Sequence, residues 1–156
     1  MPLHVEGENV PGRKRVHTGE RGQGSMVVKK TYGNELSLMV AVRAPGYHSK
    51  PHHHESDQII HVLEGEMWFF VEDQGFHCKK GDFLRIPANK IQWDWNHSDK
   101  EAVVVEAHAP ALIGGPSGEG AVGLFEEKEA PQVRGPAENK FVPYDAEKVE
   151  RKYHPY

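Results

Sequence analysis

Gly46-Tyr47-His48-Ser49-Lys50-Pro51-His52-His53-His54-Glu55-Ser56-Asp57-Gln58, running on through an apolar strand to Glu64-Gly65, is the stretch that decides the reading. Five of the chain's 11 histidines fall between residues 48 and 61. In extended backbone, successive side chains point to opposite faces, so the even-numbered His52, His54 and Gln58 share one face. Asp57 then points away from them, although its carboxylate is the stronger metal donor. Two imidazoles two residues apart, with an oxygen donor four residues further on, have the spacing of metal ligands on extended chain. The bland alternative is a solvated surface turn rich in histidine.

Short strands flank this stretch on both sides. Ser25–Thr31 and Leu36–Ala44 precede it, separated by Gly33-Asn34 and ended by Pro45-Gly46. Gln58–Leu63 and Glu66–Glu72 follow, and Glu64-Gly65 between them predicts a hairpin turn. Gly75–Lys79, Phe83–Ile86, Ile91–Trp95 and Glu101–His108 complete the series. No helical periodicity appears before residue 110. Many short strands with turn signals at near-regular intervals indicate an all-β antiparallel sandwich or barrel. Residues 1–24 read as a polar, irregular N-terminal arm and 25–110 as the barrel. Residues 111–156 read as a Gly/Pro-rich C-terminal extension that wraps the barrel. Leu124-Phe125 and Phe141-Val142 are its anchors, and a short helix over Ala146–Lys152 is capped by Asp145.

Composition narrows the function. The chain has 156 residues, a formal net charge of −4 and scattered Lys and Arg, so no basic stripe points to nucleic acid. No apolar run is long enough to span a membrane, and the N-terminus has no signal-peptide pattern. Cys78 is the single cysteine, which fits a reducing cytoplasm and excludes a disulfide framework. Strand neighbours point to opposite faces, so His77 is poorly placed to activate Cys78, which reads as a structural thiol. The Gly-rich segment 113–123 lacks the phosphate-loop pattern.

The spacing Gly46, five residues, His52, one residue, His54, three residues, Gln58, six residues, Gly65 resembles the first motif of the cupin superfamily. Gly81, five residues, Pro87, one residue, Asn89, two residues, Gln92, three residues, Asn96 is similar to its second motif. The resemblance covers roughly residues 35–108 and implies a double-stranded β-helix, or jelly-roll, barrel with one metal site in its mouth. Transferred position by position, the ligands would be His52, His54, Gln58 and Gln92. The family usually has Glu at Gln58, Gly at Asn89 and His at Gln92; Gln at the first of these occurs in some members, among them polyketide cyclases and uronate-converting enzymes. The implied cofactor is one divalent transition metal ion: iron, zinc, nickel or manganese. A donor set without a carboxylate leaves the ion's charge uncompensated, which favours an anionic or enolisable ligand and lyase, isomerase or cyclase chemistry. A non-haem iron dioxygenase acting on a phenolic or diketone substrate is the alternative, and a non-catalytic small-ligand-binding cupin a second.

Alternation along Ile91–Trp95 turns Asp94 inward with Gln92, making Asp94 the candidate catalytic acid/base. Trp93 and Trp95 then point outward and need cover, from the C-terminal extension or, preferentially, from a second subunit in a homodimer. Arg43, His48 and His108 are candidate pocket residues: Arg43 for a substrate oxyanion, His48 for the rim, and His108 as an inward residue beside Val104 and Glu106. The expected partner is a small-molecule substrate.

Overall fold

The computed structural model describes residues 3–135 and 137–153. Thirteen strands and one helix follow in chain order. They are β1 (Arg13–His17), β2 (Gly22–Tyr32), β3 (Ser37–Arg43), β4 (His48–Ser49), β5 (His52–His53), β6 (Asp57–Glu64) and β7 (Glu66–Val71). Then come β8 (Gln74–Lys79), β9 (Phe83–Ile86), β10 (Gln92–Trp95), β11 (Ala102–Ala109), β12 (Val122–Gly123), β13 (Lys140–Phe141) and helix α1 (Ala146–Tyr153).

Two sheets face each other. One runs β1-β2-β3-β11-β6-β9, all antiparallel, with β12 parallel to the end of β2. The other centres on β10, which pairs with β4, β5 and β7, while β8 extends it beyond β7 and β13 beyond β5. The start of β2 joins the sheets, because Gly22 and Gln23 pair with Ser49 and His48 of β4. The backbones approach so closely there that a Cβ on Gly22 would lie 2.1 Å from the carbonyl oxygen of His48. Only glycine fits such a seam.

Alternation builds the core between the sheets. β3 buries Ser37, Met39, Ala41 and Arg43, and β11 buries Ala102, Val104, Glu106 and His108. Val28, Ile60, Val62, Met67, Phe69 and Ile86 fill the layer between. Val28, Met39 and Phe69 of this set also form part of a cavity wall. The inward polar residues (Lys30, Arg43, Gln58, Gln92, Asp94, Glu106 and His108) all line one cavity. An inward polar side chain in an otherwise apolar stripe marks a site, since burial without partners is costly.

Three expectations are corrected. Glu64-Gly65 does not close a hairpin: β6 pairs with β11 and β9, whereas β7 pairs with β10 and β8. Gly65, at φ 75°, carries the chain from one sheet to the other, and a Cβ there would sit 2.7 Å from the Glu101 carbonyl oxygen. The hairpin in this region is β7–β8, across Glu72-Asp73. Second, Arg13–His17 is a strand on the edge of β2, not irregular chain. Third, the cover over the outward tryptophans comes from the chain itself. Trp93 and Trp95 pack with Phe70 and Val149 of α1, flanked by Tyr144 and Tyr153. The Trp93 indole N–H donates to Glu150 Oε1 at 2.9 Å. The preferred reason for a homodimer is thereby removed. α1 begins where its cap predicts: the Lys148 N–H donates to Asp145 Oδ1 at 3.1 Å.

Candidate functional site

Register assembles the site. In one sheet Gln92 pairs with His52; in the other His108 pairs with Gln58. His54 lies in the bend that carries the chain from β5 to β6, and the Asn89 N–H holds that bend by donating to the His54 carbonyl at 2.8 Å. Asn89 does this with φ 65°, which asparagine tolerates better than most residues. The five side chains line a cavity of about 330 Å³, within the range of small-molecule sites. Asp57 lies outside it, paired with Arg85 at 3.1 Å. His61 stacks on Phe83 at the surface.

Hydrogen bonds determine which imidazole nitrogen carries the proton. His52 Nδ1 lies 2.8 Å from the Lys50 carbonyl and His54 Nδ1 lies 3.2 Å from the Ser56 carbonyl. A carbonyl only accepts, so each Nδ1 is the donor and each Nε2 carries the lone pair, which on His54 accepts from Gln92 Nε2 at 3.2 Å. Burial, reinforced by His52 nearby, lowers His54 to about 4, so its ring is neutral at physiological pH. His54 Nε2 then faces Gln58 Oε1 at 3.0 Å, acceptor against acceptor. Donors about 2.1 Å from one ion and at right angles to each other lie about 3 Å apart. His54 and Gln58 are thus spaced as two donors to one divalent transition metal would be, His52 lines the same cavity with its ring centroid 6.3 Å from that of His54, and carbonyl contacts lie behind both imidazoles, of the kind that orient metal-bound histidines. Gln92 does not fit as it stands: its Nε2 donates to His54 Nε2 at 3.2 Å, so the amide presents nitrogen to the site. Among the described residues no group of three His, Cys, Asp or Glu side chains is placed to hold an ion. The centre depends on the Gln58 amide oxygen.

Deeper in the cavity, Arg43 lies between two carboxylates, with Nη1 2.8 Å from Asp94 Oδ2 and Nη2 2.8 Å from Glu106 Oε1. All three are buried. The two carboxylates hold the guanidinium charged against the cost of burial. The Asp94 contact is an ion pair off the angle a hydrogen bond requires, whereas Nη2 does donate to Glu106. The Ser49 hydroxyl donates to Asp94 Oδ1. Arg43's charge is thus already matched, which leaves it poorly available to a substrate oxyanion. His108 is buried with its Nε2 3.7 Å from Glu106 Oε2, and burial keeps its ring neutral.

His48 is absent from the cavity. Its Nε2 meets Glu150 Oε1 of α1 at 2.7 Å and its ring stacks on Trp95 at 4.5 Å. Parity resets across Lys50-Pro51, between β4 and β5, so Ser49 and not His48 faces inward. Sequence reasoning also passed over Glu106, Lys30, Arg15, His17 and Asn139, which line the cavity. Glu106 and Lys30 carried a readable signal, as polar residues at inward positions of β11 and β2. Asn139 carried none, since it reaches the site only through the wrap.

Eight buried side-chain polar atoms have no hydrogen-bond partner among the described residues, and seven of them line this cavity. They are Arg15 Nε, His17 Nδ1, Arg43 Nε and Nη1, Asp94 Oδ2, His108 Nδ1 and Asn139 Oδ1. A folded core satisfies nearly all such groups, so their concentration here marks a site built for a polar ligand.

Comparison with known proteins agrees with this architecture. Residues 39–108 match the family model described as the cupin domain. No curated protein matches the chain. A cupin-like protein from Thermotoga maritima is 21% identical, covers 88% of this chain and 90% of its own, and superposes with a TM-score of 0.57. KdgF from Halomonas sp. is 21% identical over 55% of this chain and 78% of its own, with a TM-score of 0.51. An RmlC-like cupin from Shewanella frigidimarina is 18% identical over 64% and 94%, with a TM-score of 0.52. At these identities the structures speak to the fold: the chain is a small jelly-roll barrel, and its residues 39–108 match the cupin domain.

Proposed function

We propose that the chain is a metal-dependent cupin enzyme of the cytoplasm that acts on a small oxygenated substrate by lyase, isomerase or cyclase chemistry. His52 Nε2, His54 Nε2 and Gln58 Oε1 hold one divalent transition metal ion, iron, zinc, nickel or manganese. When bound, the ion polarises a substrate carbonyl or enolate oxygen. Gln92 Nε2 donates to the His54 Nε2 lone pair at 3.2 Å and gives up that contact when the ion takes the lone pair. Asp94, which borders the cavity, moves the proton, and the carboxylate's direction is fixed by the Ser49 hydroxyl at Oδ1 and by Arg43 Nη1 2.8 Å from Oδ2. Met39 and Phe69 contribute apolar wall to the cavity.

The observation that carries this reading is the acceptor-to-acceptor apposition of His54 Nε2 and Gln58 Oε1 at 3.0 Å. Metal analysis of untagged protein tests it. Near-stoichiometric metal is expected, falling below about a tenth of that in His52→Ala/His54→Ala. Unchanged metal in the double variant refutes the assigned ligands. Stoichiometric iron with oxygen uptake transfers the chain to the dioxygenase reading. No metal even after reconstitution removes both enzyme readings and leaves ligand binding.

A homodimer remains part of the proposal on a different surface. The outer face of the β3-β11-β6-β9 sheet exposes Leu38, Val40, Ile59, Leu63 and Phe83. A second copy would cover that face.

A further inference from the structure

We infer that β1 and the C-terminal wrap form a carboxylate-binding subsite at the cavity mouth, and that the substrate is a small hydroxy acid. This rests on the cavity being the substrate site, as proposed above, and not on the metal.

The inner cations are already engaged. Arg43 is matched by Asp94 and Glu106, and Lys30 Nζ donates to the Leu112 and Ser117 carbonyls at 2.8 and 2.7 Å. An anion entering the cavity therefore meets the outer, half-buried lining. Arg15 is built for it. Its Nη1 donates to the Pro116 carbonyl and its Nη2 lies 3.3 Å from the carbonyls of Ser117 and Glu119. These contacts lock the guanidinium plane across the wrap and leave Nε–H buried, without a partner and on the cavity wall. A locked, charged donor binds a carboxylate without losing side-chain freedom on binding. Lys14 and Arg21 add positive charge to the same lining, whose acidic residues are Glu119 and the Arg43-paired Asp94 and Glu106. Arg21 is held over the Phe141 ring at 5.6 Å, and Phe141 packs against His52 at 5.3 Å. The same cavity lining carries two more unmatched atoms, Asn139 Oδ1 and His17 Nδ1. The Asn139 oxygen accepts only, so it calls for a ligand hydroxyl. One anion-seeking donor and one hydroxyl-seeking acceptor lining one cavity specify a hydroxy acid, with its carboxylate toward β1 and its reacting end toward His52, His54 and Gln58.

Full-length protein is titrated by calorimetry with D-galacturonate, L-malate and salicylate, each beside its primary amide, in metal-free and zinc-loaded form. At least one acid is expected to bind about tenfold more tightly than its amide. Arg15→Gln is expected to reduce that preference to under about threefold while circular dichroism and metal content match the natural protein. Arg15→Lys keeps a cation beside the wrap carbonyls and guards against misfolding; it is expected to bind the acid at least about threefold more weakly. The inference is overturned if no acid is preferred over its amide, or if both Arg15 variants keep the full preference. An Arg15-dependent preference in protein that binds no metal would leave the subsite standing and remove the metal reading. Metal binding without any acid preference would do the reverse.

Discussion

Replacing Arg43 by methionine removes the cation and keeps most of the side chain's volume, leaving Asp94 and Glu106 buried and facing each other's charge. The side chains of Arg43, Asp94 and Glu106 are 5%, 10% and 5% exposed. At an effective dielectric constant near 20, charges about 4 Å apart attract by about 4 kcal/mol. Desolvation offsets much of this while the trio is intact, but breaking a buried pair from one side strands the partner and costs about 3–5 kcal/mol. Against a total stability of about 5–15 kcal/mol that is a large fraction. With a urea slope of about 2 kcal/mol per molar, the unfolding midpoint should fall by about 2 M at pH 7. The sign with pH is definite. Carboxyl groups stranded in the folded variant bind protons more tightly than in the unfolded chain, so their contribution is retained at low pH and lost as pH rises. The difference between variant and natural protein, measured by urea unfolding, should be smaller at pH 4 than at pH 7. Adding Asp94→Asn and Glu106→Gln to Arg43→Met should restore most of the loss. A cost below about 1 kcal/mol at pH 7, or one that is equal at both pH values, would refute the account of Arg43 as a buried, doubly matched cation.

Burial holds His54 at about 4, below the ordinary 6.5, and His108 well below it. The unfolded chain takes up protons below 6.5 and the folded one does not, so stability present above pH 6.5 is lost as pH falls toward 4. His54 alone contributes about 3 kcal/mol, from 1.36 kcal/mol per pH unit; a flat stability profile of metal-free protein between pH 7 and 4.5 would contradict this. Gln58→Glu puts a carboxylate 3.0 Å from His54 Nε2. Metal affinity, measured by chelator competition, should rise about tenfold, and the His54 titration followed by NMR should move upward; unchanged affinity would place Gln58 outside the ligand set. Burial pushes the Cys78 thiol up to about 11, so a disulfide reagent at pH 7.5 should label it only after unfolding, and rapid labelling of native protein would show it to be accessible. Sedimentation should give twice the 17.6 kDa chain mass; monomer throughout the micromolar range would sink the dimer. Phe83→Lys should produce monomer if the exposed sheet face is the interface.

Local periodicity was enough to place the long barrel strands, because the burial of alternate residues is a short-range pattern, but not β1, β12 or β13 in the arm and the wrap. Ser37–Arg43, Phe83–Ile86 and Gln92–Trp95 all lie within expected segments, and the Asp145 cap marked the start of α1. The two motif frames likewise pointed to a cupin, since their glycines and histidines recur at spacings that the barrel's bends require. Tertiary structure decided the rest, wherever a local signal admits two global outcomes. Glu64-Gly65 satisfies a hairpin and a passage between sheets equally well, because both need a residue at positive φ. Outward Trp93 and Trp95 require cover, but only the folded chain shows that Val149 and Glu150 provide it. Parity grouped His52, His54 and Gln58 and wrongly added His48, since alternation is lost wherever a strand is interrupted, as at Lys50-Pro51. The stretch Gly46–Gly65 by itself specified three candidate donors. Only the pairing of Gln92 with His52 in one sheet, and of His108 with Gln58 in the other, closed a polar cavity around them. Arg15, His17 and Asn139 reach that cavity from distant parts of the chain, through contacts that no local spacing encodes.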